Sequence, residues 1–489
     1  MKKTISMSLV LALCLALVGC GAYAAAANDL ATESAPVVST LSAARLAAVE
    51  APDADVTVTL SDSGSTADGK NVDISGSVVT ITAAGTYYLT GELTDGQIVV
   101  DAEDAKVVLV LDGVDVTARG SAALYVAEAD KVTLFLADGS DNALASEGEY
   151  TDPEGKIDAA VYARDDLIIT GSGSLTVTSP TGHGIVSKDD LKIENGIITV
   201  TAASKGLSGN DSVEIEAGVV TVTAGTDAIH AENEEDAEKS TVTILDGTVK
   251  LTAGNDGIDA SGEVTIDDGV ITIASGESRS TTDSGKGIKS DKQITVNGGT
   301  ITVSAYDDAV HTNGSLLITG GELTVTSNDD GLHADELAQI DGGSVAVAAA
   351  EGLEATYVLI NGGTVTIKAT DDGINAARKS SAYTPTVEIN GGTVTITMGS
   401  GDTDAIDSNG NIIINGGTIN VTGTSSFDYE GTAEYNGGTI IINGQQVSYL
   451  PNQMMGGMGG QMGGQYGGQY GGQYGGQPGG PYGGGRGGF

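Results

Sequence analysis

A turn motif, Asn-Gly-Gly or a close variant, recurs along the chain and constrains its fold more than any other feature. Several successive copies lie 20 to 22 residues apart, and polar inserts such as residues 231–240 lengthen other intervals. The last glycines of the motif are Gly196, Gly218, Gly247, Gly269, Gly299, Gly321, Gly343, Gly363, Gly392, Gly417 and Gly438. Such a period is typical of solenoids, in which each coil buries its apolar face by stacking on its neighbours.

Apolar and polar residues alternate after each turn, as in residues 300–303 (TITV) and 364–367 (TVTI), and another apolar segment precedes each turn. Period-two alternation of β-branched residues predicts strands with one buried face. Leucine-rich repeats have a similar length but need a leucine framework that this sequence lacks. We therefore predict an all-β chain that folds as a parallel β-helix with coils of about 20–22 residues. Its turn glycines should adopt positive φ.

Composition supports a repeat architecture and limits the possible partners. With 73 glycines, three phenylalanines and no tryptophan, the chain has no ordinary aromatic-rich core. Lys and Arg total 22 against 66 Asp and Glu, a net charge of −44. This charge argues against nucleic acid or an anionic membrane surface as a partner. It favours cations, or ligands that are bridged by cations.

The N-terminus predicts export. Two lysines and an apolar run precede LVGC at residues 17–20, which resembles a bacterial lipoprotein box with Cys20 as the lipidated residue. Simple secretion is the alternative. We expect a lipoprotein-type signal peptide at 1–20, a flexible tether at 21–51, the β-helix at 52–450 and a disordered Gly/Gln/Tyr/Met-rich tail at 451–489. The protein should be a monomer at the bacterial cell surface, with the lipid on Cys20 as its membrane contact.

Aligning the coils on one apolar residue places two columns of mostly polar residues beside each other. The apolar residues are Ile185, Leu207, Ile229, Ile258, Ile288, Val310, Leu332, Leu353, Ile374 and Ile406. Two places earlier, the corner column consists of His183, Lys205, Asp227, Asp256, Lys286, Asp308, Asp330, Glu351, Asp372 and Asp404. One place later, the strand column consists of Val186, Ser208, His230, Asp259, Lys289, His311, His333, Glu354, Asn375 and Asp407.

Stacked carboxylates repel, which suggests that cations bind them. Coils lie about 4.8 Å apart, and like charges at that distance repel by roughly 1 kcal/mol even in bulk water. A calcium ion between two carboxylates needs oxygens about 4.6 to 5.2 Å apart, which matches the coil spacing, and an oxygen-rich site without thiolates suits Ca²⁺ better than a transition metal. The predicted Ca²⁺ ligands are Asp227, Asp256, Asp259, Asp307, Asp308, Asp329, Asp330, Glu351, Glu354, Asp371, Asp372, Asp404 and Asp407. An acidic, solvated corner that keeps the solenoid soluble is the alternative.

Lys286 and Lys289 interrupt the two columns. They either compensate the charges of neighbouring coils or bind the carboxylate of an anionic sugar beside calcium. A flat aromatic platform for a neutral glucan is not expected, because tryptophan is absent and the tyrosines are scattered. The candidate sugar-binding residues are Lys286, Lys289, Tyr306, His311 and His333.

Residues 85–126, 130–144 and above all 183–193 (HGIVSKDDLKI) resemble a family of secreted bacterial carbohydrate-binding proteins. The resemblance extends from about Val56 to about Gly444. It implies a right-handed parallel β-helix similar to that of pectate lyases. It also implies binding of polysaccharides, including acidic pectic ones, with calcium and without established catalysis.

An enzyme is the main alternative function, and an adhesin or structural surface solenoid is the next. A calcium-dependent pectate lyase needs a basic residue, usually Arg, to abstract the proton beside the uronate carboxyl. Arginine is scarce in the repeats, although Lys286 or Lys289 could replace it. Residues 182–184 match a short Gly-His-Gly motif of polygalacturonases, but the further carboxylate and basic subsite are missing. We therefore predict calcium-assisted binding of an acidic polysaccharide without catalysis.

Overall fold

The alternating segments form strands in the computed structural model. It describes residues 46–452 except 47, 152–155, 234, 237, 277–284, 401 and 402. Cys20, the predicted signal peptide, most of the predicted tether and nearly all of the tail lie outside these residues. The described strands belong to a unit of residues 1–453, and a second unit, 454–489, lies outside the described residues.

The described part of the chain has 45 strands and no helix, so it has no helix that could cross a membrane. The first fifteen are β1 (Val56–Leu60), β2 (Thr66–Ala67), β3 (Val72–Ser75), β4 (Val78–Ile81), β5 (Gly85–Leu93), β6 (Gln97–Asp101), β7 (Lys106–Arg119), β8 (Leu124–Glu128), β9 (Lys131–Leu136), β10 (Asp141–Glu147), β11 (Ala159–Ala163), β12 (Asp166–Gly171), β13 (Ser174–Ser179), β14 (His183–Ser187) and β15 (Asp190–Ile193). The next fifteen are β16 (Ile197–Ala202), β17 (Leu207–Gly209), β18 (Ser212–Ile215), β19 (Val219–Ala224), β20 (Ile229–Ala231), β21 (Thr241–Ile244), β22 (Thr248–Ala253), β23 (Ile258–Ala260), β24 (Val264–Ile266), β25 (Val270–Ala274), β26 (Ile288–Ser290), β27 (Gln293–Val296), β28 (Thr300–Ser304), β29 (Val310–Thr312) and β30 (Ser315–Ile318). The last fifteen are β31 (Glu322–Thr326), β32 (Asp330–Ile340), β33 (Ser344–Ala349), β34 (Glu351–Ile360), β35 (Thr364–Ala369), β36 (Ile374–Ala376), β37 (Thr386–Ile389), β38 (Thr393–Met398), β39 (Ile406–Ser408), β40 (Asn411–Ile414), β41 (Thr418–Thr422), β42 (Phe427–Tyr429), β43 (Ala433–Tyr435), β44 (Thr439–Ile442) and β45 (Gln445–Val447).

The strands form three parallel ladders, because each coil contributes one strand to each. The first ladder contains β13, β16 and β19, the second β14, β17 and β20, and the third β15, β18 and β21. The pattern continues through the later coils, and β32 and β34 each serve both the second and the third ladder. This arrangement is the predicted parallel β-helix.

The predicted alignment of the coils is confirmed residue by residue. The apolar residues pair in register along the second ladder, from Ile185 opposite Leu207 to Ile374 opposite Ile406. Their side chains are at most 1% exposed. Local alternation therefore predicts both the buried face and the register, because a slip of one residue would turn every apolar side chain to solvent.

The turns between the third and first ladders need glycine. All eleven turn glycines have positive φ, between 77° and 117°, which confirms the prediction. At Gly343 a Cβ atom would lie 2.7 Å from the carbonyl oxygen of Gly321, so an alanine would fit neither the φ nor the space. Asparagines stack beside these turns, with Nδ2 of Asn390 and of Asn415 each donating to Oδ1 of the Asn one coil earlier at 2.8 Å.

Antiparallel pairs end the solenoid on both sides. The strands β1 and β2, and β3 and β4, pair in this way at the N-terminal end, and β44 and β45 do so at the C-terminal end. Such pairs cover the open edges that a stack of parallel coils would otherwise expose.

Candidate functional site

The two polar columns lie side by side on the outer surface of the second ladder. Most of its strands have three residues, of which the first and third are buried and the middle one belongs to the strand column, as in Ile258–Ala260. The corner column lies where the chain bends into these strands. Titratable side chains from successive coils therefore form one continuous face.

Corner-column side chains hold the backbone of the next coil, a role that sequence reasoning missed. In four coils, an aspartate Oδ1 atom accepts a hydrogen bond from the backbone N–H of the corner residue one coil later. The pairs are Asp227 with Asp256 (3.2 Å), Asp256 with Lys286 (2.7 Å), Asp308 with Asp330 (3.1 Å) and Asp372 with Asp404 (3.1 Å). His183 Nδ1 does the same for Lys205 at 3.1 Å. A partly buried N–H needs an acceptor, and the short side chain of Asp supplies one. A neutral side-chain oxygen, such as that of Asn, could accept the same hydrogen bond. The contact therefore does not by itself explain why the column is acidic.

Lysines neutralise the middle of the columns. Lys286 Nζ lies 2.6 Å from Asp307 Oδ2 and 2.8 Å from Asp308 Oδ2, and Lys289 Nζ lies 2.8 Å from Asp259 Oδ1. Burial alone would raise the pKa of Asp308, but hydrogen bonds from His311 and Lys286 hold it well below its usual range. These contacts favour charge compensation as the role of both lysines, one of the two roles that the sequence left open.

Histidines continue this neutralisation in the next coils. The rings of His311 and His333 stack with centroids 4.5 Å apart, and their Nδ1 atoms lie 2.7 Å from Oδ2 of Asp308 and of Asp330. His333 Nδ1 also lies 3.1 Å from Glu354 Oε2. Burial would lower the pKa of His333, yet these carboxylates raise it to about 10, so the ring is an imidazolium ion.

Lys379 also neutralises Glu354, because its Nζ lies 2.7 Å from Glu354 Oε2. Lys379 belongs to the segment between β36 and β37 and not to either column. The repeat pattern therefore could not identify it. We call Asp259, Asp308 and Glu354, with the cations beside them, the neutralised segment.

The following coils lack such cations. We call Asp372, Asp407 and Asp428 the acidic segment; no Lys, Arg or His of the described residues lies within ion-pair distance of their carboxylates. Burial and neighbouring carboxylates raise the pKa of Asp372 to about 7 and that of Asp407 to about 6. Asp428 pairs in register with Asp407, and its Oδ1 is buried without a hydrogen-bond partner. Extending the strand column by one coil would have found Asp428 from the sequence.

The other predicted ligands have different environments. Asp329 and Asp371 are exposed, whereas Asp330 is buried and Asp372 half-buried, so members of each adjacent pair differ in exposure. Asn375 Nδ2 donates to Glu351 Oε2 at 3.0 Å, and the hydroxyl of Ser425 donates to Asp404. Tyr306 is 52% exposed.

A cleft of about 590 Å³ lies over the N-terminal coils of the columns, and we call it the N-terminal cleft. Its basic side chains are His183, Lys188, Lys205, His230 and Lys239, and its acidic side chains are Asp158, Asp189, Asp211, Glu232 and Glu235. Lys239 pairs with Asp211, but Lys205 is half-buried and its ammonium has no ion-pair partner among the residues that the structure describes. Burial lowers the pKa of Lys205. Lys205 lies in the predicted corner column but was not predicted as a binding residue, because its lack of a direct ion pair depends on the fold.

Comparisons with known proteins give three matches. A family model described as carbohydrate-binding domain-containing protein matches residues 75–331 and 322–450. A protein of the same description from Acetivibrio thermocellus is 46% identical over 139 residues, which are 27% of this chain and 49% of the relative, so the match spans about half of the relative's length. A solved structure described as a polysaccharide lyase-like protein from C. thermocellum, gadolinium derivative, is 34% identical and matches 55% of this chain and 99% of that chain with a TM-score of 0.44.

Proposed function

Because the chain belongs to the family of carbohydrate-binding domain-containing proteins, we propose that it binds an acidic polysaccharide with the help of calcium and without catalysis. The observation that carries this proposal is Lys205 in the N-terminal cleft. A half-buried ammonium without a direct ion pair is costly, since Asp227, Glu232 and Asp259 act on Lys205 only from beyond ion-pair distance. A carboxylate of a bound uronate supplies the direct contact. Lys188 lies in the same cleft and adds a hydrogen-bond donor for the sugar.

Cations are needed because protein and ligand are both negative. At a net charge of −44, an acidic polymer is repelled from most of the surface unless cations lie between the two. The N-terminal cleft provides lysines at one end of the columns. The acidic segment provides the place for calcium at the other.

The donor set of the acidic segment fits calcium. Asp407 and Asp428 occupy the same position in neighbouring coils, about 4.8 Å apart, and all their donor atoms are oxygens. The buried Oδ1 of Asp428 has no protein partner, as expected of an atom that binds a cation. In the neutralised segment, by contrast, the Lys286 ammonium already lies against the oxygens of Asp307 and Asp308. Calcium would bring charge neutralisation and direct coordination of sugar oxygens.

We place this activity outside the cell. The lipoprotein box that ends at Cys20 is the support for export and for anchoring at the bacterial surface. Incorporation of labelled palmitate, and its loss in Cys20→Ser, is the test of anchoring.

Binding is tested with the full chain and polygalacturonate, in calcium and in chelator. We expect retention that depends on calcium, and a loss of affinity of about tenfold or more in Lys205→Met, the size expected when a hydrogen bond to a charged group is lost. Lys250→Met is the matched control, because Lys250 is exposed on a first-ladder strand, β22.

The same samples test catalysis through the absorbance of an unsaturated uronate product. Binding without product supports the proposal, and rising absorbance would make the protein a lyase. Absence of binding in calcium, or equal losses in Lys205→Met and Lys250→Met, would contradict the proposed function.

A further inference from the structure

Three ligand atoms converge where the N-terminal cleft meets the polar columns. His230 Nδ1 lies 3.2 Å from Asp259 Oδ2 and 3.6 Å from Asp227 Oδ2, and each of the three residues offers one ligand atom within 4.8 Å of the other two. His230 and Asp259 pair in register on neighbouring strands, and Asp227 precedes His230 at the corner. The fold therefore brings together one imidazole and two carboxylates.

The His230 ring is oriented for a ligand on one nitrogen. Nε2 lies 3.2 Å from Glu232 Oε2, a contact in which Nε2–H donates to the carboxylate. Nδ1 is buried and makes no hydrogen bond of acceptable geometry, although Asp259 Oδ2 lies 3.2 Å from it. The side chain is only 8% exposed, so water does not compensate for the missing contact. A divalent cation among the three atoms coordinates Nδ1 and both carboxylates at once.

Both carboxylates are held in place through their other oxygen. Asp227 Oδ1 accepts hydrogen bonds from Asn255 Nδ2 at 2.8 Å and from the Asp256 N–H at 3.2 Å. Asp259 Oδ1 accepts one from Lys289 Nζ at 2.8 Å. The two Oδ2 atoms are therefore directed to His230. Hydrogen bonds of this kind orient the ligands of metal sites.

The distances suit a small ion. Zinc binds nitrogen and oxygen at about 2.0–2.2 Å with tetrahedral geometry, which places two ligand atoms about 3.3–3.5 Å apart. The observed 3.2 and 3.6 Å bracket that separation. Calcium prefers more oxygens at longer distances, as in the acidic segment. We infer that His230, Asp227 and Asp259 form a binding site for a divalent transition-metal ion of the Zn²⁺ type, separate from the proposed calcium site.

The other two histidines of the strand column have a hydrogen-bond partner at both ring nitrogens. His333 Nδ1 donates to Asp330 at 2.7 Å, and its Nε2 contacts Asp335 at 3.2 Å. His311 likewise contacts Asp308 and Asn313 through its two nitrogens. Neither ring offers a metal a nitrogen without a partner, which makes His311 a matched control in the same column.

The test is calorimetric titration of the full chain, made without a polyhistidine tag, with Zn²⁺ and Co²⁺ in excess calcium. We expect one equivalent of ion, a visible ligand-field spectrum with Co²⁺, and affinity lower by about tenfold or more in His230→Gln. His311→Gln should bind like the wild type. Circular dichroism confirms that each variant is folded.

Asp227→Asn is a second variant in case His230→Gln does not fold, because Asn keeps an oxygen for the Asp256 N–H but loses the Oδ2 ligand. It should also lower the affinity. Equal losses in His311→Gln, or weak binding of several ions that calcium displaces, would overturn the inference and leave only a general attraction of cations to acidic side chains.

Discussion

Asp308 and Asp372 occupy the same position of the repeat and make the same backbone contact. Each accepts the N–H of the corner residue one coil later at 3.1 Å. Their surroundings differ: Asp308 contacts Lys286 and His311, whereas Asp372 lies near Asp407 and Glu351. The pKa of Asp308 is accordingly held low, while burial and these carboxylates raise the pKa of Asp372 to about 7.

The difference separates two roles of the corner column. Holding the next coil requires an oxygen, which Asp and Asn both have. Retaining a negative charge requires a cation, which the neutralised segment obtains from its own side chains and the acidic segment does not. We therefore expect a bound cation to stabilise the acidic segment most.

The largest effect should come from converting the neutralised segment into an acidic one. Lys286→Met removes an ammonium that is 13% exposed, beside the 6% exposed carboxylate of Asp308. Breaking such a buried pair costs about 3–5 kcal/mol of unfolding free energy. Thermal and urea unfolding measure the loss, which calcium should partly restore. A loss no larger than that of Lys250→Met would refute this view of the neutralised segment.

Calcium should have the next largest effect, on the acidic segment. We expect it to raise the free energy of unfolding by about 1–3 kcal/mol when it is well above its dissociation constant. Asp407→Asn should abolish most of this increase, because it removes one of two carboxylates on adjacent strands. Asp53→Asn, at an exposed position, serves as the control. An unchanged calcium response in Asp407→Asn would place the ion elsewhere.

The smallest effect should come from the charge of Asp372. Because burial and its acidic neighbours raise its pKa from 3.8 to about 7, the folded state binds this proton more tightly than the unfolded chain. In chelator, stability should therefore fall as the pH rises from about 4 to about 7 and remain lower above that range.

Asp372→Asn keeps the acceptor for the Asp404 N–H and removes the charge. It should raise stability at pH 8 by about 1 kcal/mol, after allowance for solvent screening, and leave it unchanged at pH 4. Unfolding curves at both pH values test this, with the exposed neighbour variant Asp371→Asn as control. Destabilisation at pH 8 in chelator would show that the charge itself supports the fold.

Much of the fold could be predicted from the sequence because it depends on local patterns. Alternation along each strand predicts which side chains face inward, and the spacing of the turns predicts which residues stack. The aligned apolar residues and the eleven turn glycines are confirmed for this reason. Family membership was also predictable, from residues 183–193 above all.

The candidate site was less predictable because its contacts connect distant parts of the chain. Lys379 reaches Glu354 from a segment between two strands, and Lys205 is notable because it has no direct ion pair among the described residues. His230 and His333 occupy the same column, yet only His230 has a nitrogen without a hydrogen bond. Such differences depend on side-chain orientation and on several coils at once, which no repeat pattern records.

The sequence by itself determined the stacking of coils, the position of the acidic columns and the large negative charge of this protein. Only the tertiary structure decided which carboxylates contact lysine or imidazolium and which, such as Asp428, have a buried oxygen without a partner. The physical reason is that the two properties depend on different sets of neighbours. Backbone conformation follows from neighbours along the chain, whereas the ionisation of a buried group depends on every charge within a few ångströms, whichever coil supplies it.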